Sequence, residues 1–184
     1  MINQFMVVSF VVCGVLVGLL LYAFRQIKRL QKLAYRDQQT GLFNRYYAES
    51  YIKHWAAKGD YPISFIYADV NNLKKVNDTY GHQDGDRLLC LVAQILRTSC
   101  RREDLVSRWG GDEFLIVLPR ISKTQAQEIC NRITNNFSQQ CRSKEIQVAL
   151  GIGFLQSPEH CFDEEFKKAE AAMYCHKRRL KAIV

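Results

Sequence analysis

Trp109-Gly110-Gly111-Asp112-Glu113-Phe114 places two adjacent carboxylates directly after two glycines, between the apolar runs Leu105–Trp109 and Phe114–Leu118. Gly-Gly between strand-like segments predicts a tight hairpin with φ > 0 at both central residues. The carboxylates then stand at the start of the second strand. Two readings are open at this point. The turn is either an exposed acidic hairpin, or a site for a divalent metal and its phosphate ligand.

Asp69 ends the apolar run Ile63–Val70 and is followed by Asn71-Asn72-Leu73-Lys74. A carboxylate at the C-terminal end of a sheet strand borders a ligand crevice. Mg²⁺ takes one or two carboxylates, a backbone carbonyl and phosphate oxygens. Asp69 with Asp112 or Glu113 supplies that set if their strands are neighbours, and Lys74 then meets phosphate as a point charge. The competing role for Asp69 is to cap a helix before Asn71. Asn77-Asp78-Thr79-Tyr80-Gly81-His82-Gln83-Asp84-Gly85-Asp86 is expected as a polar loop that opens a helix near Asp86. One Asx residue there caps that helix. Asn77 and Asp86 also suit a guanine edge, the carboxylate accepting from N1–H and N2–H₂ and the amide pairing with O6 or N3.

The elements that must position these groups alternate along the chain. Helical periodicity covers Arg45 to Ala57, a short stretch Leu73 to Val76, Asp86 to Cys100, Thr124 to Gln139 and Glu164 to Arg179. Strands are expected over Ile63–Val70, on both sides of the hairpin, and over Ile146–Phe154. Interleaved strands and helices around a central hairpin predict a mixed α/β sheet flanked by helices, with one core.

Phe5 to Phe24 is 20 residues without a charge, enough to span a hydrocarbon core of about 30 Å. A cleaved signal peptide is the rival. The run exceeds the usual length of such a core, no basic residue precedes it, and no small-x-small site follows. An uncleaved transmembrane anchor over residues 1–24 is therefore expected. A basic juxtamembrane helix follows over 25–36, and the main domain over 37–184. With four residues ahead of the span, no sensory domain is expected before it.

Arg25, Lys28, Arg29, Lys32 and Arg36 follow the span, which places the main domain in the cytoplasm. The chain carries +8, and removing these five charges leaves +3 for residues 37–184. The basic pI is thus a product of orientation, and no nucleic-acid partner is expected. Seven cysteines at positions 13, 90, 100, 130, 141, 161 and 175 show no metal-ligand spacing and predict reduced thiols.

Arg108 to Phe114, together with Asp69, Lys74, Asn77-Asp78, Gly81-His82 and Gly85-Asp86, resembles the GGDEF domain of diguanylate cyclases. Thr40-Gly41-Leu42-Phe43-Asn44-Arg45 resembles the opening motif of that family, and Ala169 to Lys177 its closing one. The resemblance covers about residues 36–182. It implies a palm-like sheet of the nucleotide-cyclase type and the condensation of two GTP molecules into cyclic di-GMP, with loss of pyrophosphate. It implies Mg²⁺, with Mn²⁺ as a substitute, held by Asp69, the carbonyl of Val70, Asp112 and Glu113. Asp112 is then the proton acceptor for the 3′-hydroxyl and Glu113 its support. Asn77 and Asp86 read guanine with His82 nearby, and Lys74 and Lys177 contact phosphate.

Arg101-Arg102-Glu103-Asp104 resembles the RxxD inhibitory product site of the family, its Arg101 and Asp104 one helical turn apart. The resemblance also implies a working antiparallel homodimer, since one domain binds one GTP. Together with the span and the basic cluster, a bacterial inner-membrane location with the catalytic domain cytoplasmic is expected. The alternatives are a catalytically silent domain that senses GTP or cyclic di-GMP, and a membrane-tethered interaction protein.

Several residues depart from the family pattern. Gln39 stands where leucine is usual, which predicts looser packing near the active-site helix. Asn71 replaces a frequent second aspartate. Glu170, His176, Leu180 and Lys181 differ in the closing motif, which bears on the phosphate end of the site. The chain ends at Val184, so a last strand of the pattern is missing or very short.

Overall fold

The computed structural model describes residues 4–141 and 146–183. The chain divides into two compact units, 1–36 and 37–184. In the first, α1 (Gln4–Tyr35) is one continuous helix, long and apolar enough by length and composition to cross a membrane.

The second unit holds a five-stranded sheet, made of β1 (Phe43–Asn44), β2 (Ile63–Val70), β3 (Leu105–Arg108), β4 (Glu113–Pro119) and β5 (Val148–Leu155). The order is β1-β3-β4-β2-β5; β1 runs parallel to β3 and the other pairs are antiparallel. All eight residues of β2 are buried. A strand covered on both faces needs no polar side, which is why Ile63–Val70 is largely apolar on both faces, with Ser64 and Asp69 as its polar residues.

Five helices of this unit, among the described residues, cover the sheet in two layers: α2 (Arg45–Lys58), α3 (Leu73–Tyr80), α4 (His82–Thr98), α5 (Lys123–Gln140) and α6 (Phe162–Ile183). On one face Ile66, Ala68, Phe114 and Ile116 pack with Val92, Ile95 and Ile133 of α4 and α5. On the other, Phe65, Tyr67, Leu115 and Val117 pack with Ala48 and Ile52 of α2 and with Ala169 and Met173 of α6. Helix starts follow local chemistry. The Asn44 side chain accepts from Tyr47 N–H at 3.0 Å, and Ser122 with Gln125 forms a capping box, each satisfying donors that the first turn leaves unpaired.

The structure corrects two expectations and adds one element. The segment 77–84 is not a loop: α3 continues to Tyr80 and α4 begins at His82, with Gly81 (φ 91°) as the only break. Gly81 N–H still donates to Asn77 O at 2.9 Å, so the backbone bonds of this polar stretch are helical despite its turn-forming composition. The hairpin is not a two-residue turn, and neither Gly110 nor Gly111 has positive φ. Four residues, Trp109 to Asp112, separate β3 from β4, closed by Trp109 N–H to Glu113 O at 2.8 Å. The two-residue β1 is an addition, paired in the sheet with the distant β3. The seven cysteines are all free thiols, and burial pushes those of Cys100 and Cys130 up to about 12, far from the reactive thiolate.

Candidate active site

Neighbouring strands β2 and β4 bring the carboxylates together. Asp69 is directly opposite Glu113 in the antiparallel register, so their side chains leave the sheet on one face. Val70 N–H donates to Asp112 O at 3.0 Å, which extends the ladder one residue into the turn and fixes Asp112 beside the end of β2. Burial pushes the Asp69 carboxyl up. The hydrogen bond and charge of Lys177 oppose that shift, while Asp112 and Glu113 add to it.

Lys177 arrives from α6, its Nζ donating to Asp69 Oδ1 at 2.6 Å. Close approach of α6 to β5 makes this reach possible. A Cβ on Gly151 would lie 2.0 Å from the Ala169 carbonyl oxygen and 2.5 Å from Met173 N. Glu113 is held from behind by the Tyr67 hydroxyl, whose own ionisation burial and that carboxylate push far upward. Gly110 leaves space for the same carboxylate: a Cβ there would sit 2.4 Å from Glu113 Oε2.

A cavity of about 430 Å³ opens beside these groups, lined by Val70, Lys74, Lys75, Asp112, Lys177 and Lys181 among others. Four ammonium groups around one cavity suit a polyphosphate. Lys181 is one of them. Asn71 is buried next to this cavity, with neither amide atom hydrogen-bonded.

The groups read as a guanine site lie on α3 and α4. Asn77 packs against Gly85, where a Cβ would meet its Oδ1 at 1.8 Å, so glycine leaves room for the Asn77 amide in this position. Asp86 follows on the exposed side of α4, and His82 is exposed in its first turn. None of these three lines the lysine cavity. Gln39 does not leave a packing defect. Its Nε2 donates to Asp86 Oδ1 at 2.6 Å, and its Oε1 accepts from the Arg108 guanidinium.

Arg108 is the positioning residue that sequence reasoning left without a role. Its guanidinium donates to Gly111 O at 2.7 Å, to Gly110 O at 3.1 Å and to Asp37 at 3.3 Å. A planar donor fork aimed at two successive carbonyls holds the four-residue turn in one shape. The signal available was an arginine directly before a glycine turn; its partner Asp37 lies three residues ahead of the opening motif. His176, another departure, accepts from Leu150 N–H through Nδ1 at 3.0 Å and so ties α6 to β5.

Arg101 and Asp104 do not lie on a helix. They form a turn in which Asp104 N–H reaches Arg101 O at 3.3 Å. Asp104 is buried, its Oδ2 accepting from Arg101 N–H at 2.7 Å and its Oδ1 without a partner, whereas the Arg101 residue is exposed. Arg97 braces this corner by donating to Asp104 O at 2.7 Å.

Among the described residues no group of three or more His, Cys, Asp or Glu side chains converges as a ready metal cage. Asp69, Asp112 and Glu113 nevertheless fit a hard divalent ion. They are all-oxygen donors, the charges of Asp112 and Glu113 raise the proton affinity of Asp69, and the Lys177 ammonium already pairs with Asp69. Mg²⁺ needs only one or two such carboxylates when phosphate supplies the rest.

Sheet order, carboxylate hairpin and lysine cavity together define a GGDEF fold, a mixed α/β sheet flanked by helices. The chain belongs to the GGDEF diguanylate cyclase family, matching "Diguanylate cyclase, GGDEF domain" over residues 34–182. It is 34% identical over 154 residues to diguanylate cyclase DgcM of Escherichia coli, covering 80% of this chain and 37% of DgcM. It is 33% identical over 151 residues to the uncharacterized protein YtrP of Bacillus subtilis, covering 82% of this chain and 26% of YtrP. The chain thus spans well under half the length of these relatives. The GGDEF domain of DgcB from Caulobacter crescentus, solved in complex with c-di-GMP, superposes with a TM-score of 0.72 at 26% identity, covering 79% of this chain and 91% of that one.

Proposed function

We propose that this chain is a membrane-anchored diguanylate cyclase that condenses two GTP molecules into cyclic di-GMP. The observation that carries the reading is the pairing of Asp69 with Glu113 across β2 and β4, with Asp112 at the mouth of a lysine-lined cavity. Family membership and the c-di-GMP bound by the DgcB domain support it.

Asp69, the Val70 carbonyl, Asp112 and Glu113 would hold a divalent cation, Mg²⁺ or in its place Mn²⁺. When bound, it supplies neutralisation of phosphate charge and lowers the pKa of the attacking hydroxyl. The residues of the chain do the rest. Lys74 and Lys177 bind phosphate oxygens, with Lys181 at the same cavity. Asn77 and Asp86 read the guanine, with His82 nearby. Asp112 accepts the proton of the 3′-hydroxyl as its oxygen forms a bond to the α-phosphorus of the second GTP and the bond to pyrophosphate breaks. The same exchange in the opposite sense closes the ring.

Each domain holds one GTP, so two domains must face each other in an antiparallel homodimer. Residues 1–24 act as the anchor in the bacterial inner membrane and 25–36 as a basic juxtamembrane helix. The catalytic domain, 37–184, is cytoplasmic. Arg101 and Asp104 form an inhibitory product site that gives feedback.

The full chain, purified in detergent micelles, is incubated with GTP and Mg²⁺ and the products are separated by chromatography. Cyclic di-GMP and pyrophosphate should appear in a 1:2 ratio, and Asp112→Ala should lower the rate by about a thousandfold or more. A parent protein that binds GTP without forming product is a silent sensor domain. Asp112→Ala activity within about tenfold of the parent removes Asp112 from the chemistry.

A further inference from the structure

We infer that Gln39 is a positioning residue for guanine recognition: it fixes the Asp86 carboxylate for the base edge and ties it, through Arg108, to the Gly110–Gly111 turn that carries Asp112. The inference rests on the reading of Asp86 as the guanine-binding carboxylate.

Asp86 is exposed on α4, where a carboxylate would otherwise sample several rotamers. Gln39 Nε2 donates to its Oδ1 at 2.6 Å, which selects one rotamer and leaves Oδ2 for the N1–H and N2–H₂ donors of guanine. The Gln39 backbone is pinned to the same helix face, since the Cys90 thiol, one turn beyond Asp86, donates to Gln39 O at 3.4 Å. The amide orientation is dictated by its neighbours. A guanidinium only donates and a carboxylate only accepts, so Oε1 must face Arg108 and Nε2 must face Asp86.

Arg108 continues the chain of contacts, holding the carbonyls of Gly110 and Gly111. One side chain therefore joins the base-reading group to the catalytic turn. Leucine at this position could make neither bond, having no donor and no acceptor. Base recognition in this chain accordingly depends on a residue that touches no substrate, and a gain in guanine preference is the expected consequence.

The test is equilibrium binding of 3′-deoxy-GTP and 3′-deoxy-ITP to the full chain in detergent with Mg²⁺. These nucleotides lack the attacking hydroxyl, and ITP lacks the 2-amino group that Asp86 would bind. Gln39→Leu should weaken 3′-deoxy-GTP about five- to tenfold and 3′-deoxy-ITP less than about twofold, narrowing the preference between them. Gln39→Glu should do the same, because its carboxylate still pairs with Arg108 while repelling Asp86. In turnover, KM for GTP should rise by the same factor, and kcat should fall by less than KM rises, since Asp37 and the two glycine carbonyls still hold Arg108.

A GTP-over-ITP ratio that stays within about twofold of the parent in both variants overturns the inference, as does a parent without preference between the two bases. A parent that prefers GTP but forms no cyclic di-GMP would overturn the proposed activity alone, and the binding ratio would still decide the role of Gln39.

Discussion

The Lys177 ammonium donates to Asp69 Oδ1 at 2.6 Å, joining two residues 108 positions apart in sequence. The side chains are only 23% and 8% exposed, so this ion pair is shielded from the solvent that makes surface pairs weak. Removing the cation strands a buried carboxylate. Lys177→Met should therefore lower stability by about 2 kcal/mol in EDTA. Saturating Mg²⁺ should restore much of that loss, and the variant should gain more from Mg²⁺ than the parent. Thermal unfolding of both proteins with and without Mg²⁺ checks this; equal Mg²⁺ shifts would mean that Lys177 and the metal do not share Asp69.

The two glycines of the hairpin should respond differently to alanine. A Cβ on Gly110 meets Glu113 Oε2 at 2.4 Å, whereas a Cβ on Gly111 meets nothing within 4 Å. Neither has positive φ, so backbone strain contributes to neither. Gly110→Ala should cost about 1–3 kcal/mol, and Gly111→Ala about 0.5 kcal/mol or less. Denaturant titration measures both, and equal costs would contradict the geometry of the turn.

That difference shows where the sequence was legible and where it was not. Strand β2 and the carboxylate at its end followed from an apolar run that needs burial on both faces. The pairing of Asp69 with the hairpin followed as a conditional, since the strands had only to be neighbours. Gly-Gly points to a turn, but its type is not the tight two-residue one, because the Arg108 side chain holds the carbonyls of Gly110 and Gly111 in a four-residue turn that backbone propensity alone does not encode. Residues 77–84 were misread because Asn, Asp and Gly favour loops locally. There the backbone instead makes helical bonds, Gly81 N–H to Asn77 O and Gly85 N–H to Gly81 O, on either side of Gly81. The two residues of β1, held by a partner more than 60 positions away, leave no periodic signal at all.

Asp104 gives a pH signature. Burial, its largest influence, raises its carboxyl above the ordinary value of 3.8, although the Arg101 amide and nearby arginines pull the other way. A raised folded-state pKa means that the native protein binds the proton more tightly than the unfolded chain. Its stabilising contribution is present below pH 3.8 and is lost as pH rises through the raised value. Asp104→Asn has no proton to lose. Its stability relative to the parent should rise as pH increases from about 3.5 toward neutrality, as followed by thermal unfolding across that range. A difference that does not change with pH would show that Asp104 titrates normally.

The same corner separates two roles in the proposed product site. Arg101 is exposed, with its backbone amide rather than its side chain holding Asp104, while Asp104 is buried and braced by Arg97. An exposed guanidinium can take up phosphate or a guanine edge without disturbing the fold. Arg101→Ala should therefore leave the unfolding temperature within about 2 °C of the parent. It should raise the cyclic di-GMP concentration needed for half-inhibition at least about tenfold. Asp104→Ala should weaken inhibition as well, but with a loss of about 1–2 kcal/mol in stability, because the Arg101 amide loses its acceptor. Progress curves with added cyclic di-GMP, paired with unfolding curves, separate the two. Full product inhibition in Arg101→Ala would place the feedback site elsewhere on the chain.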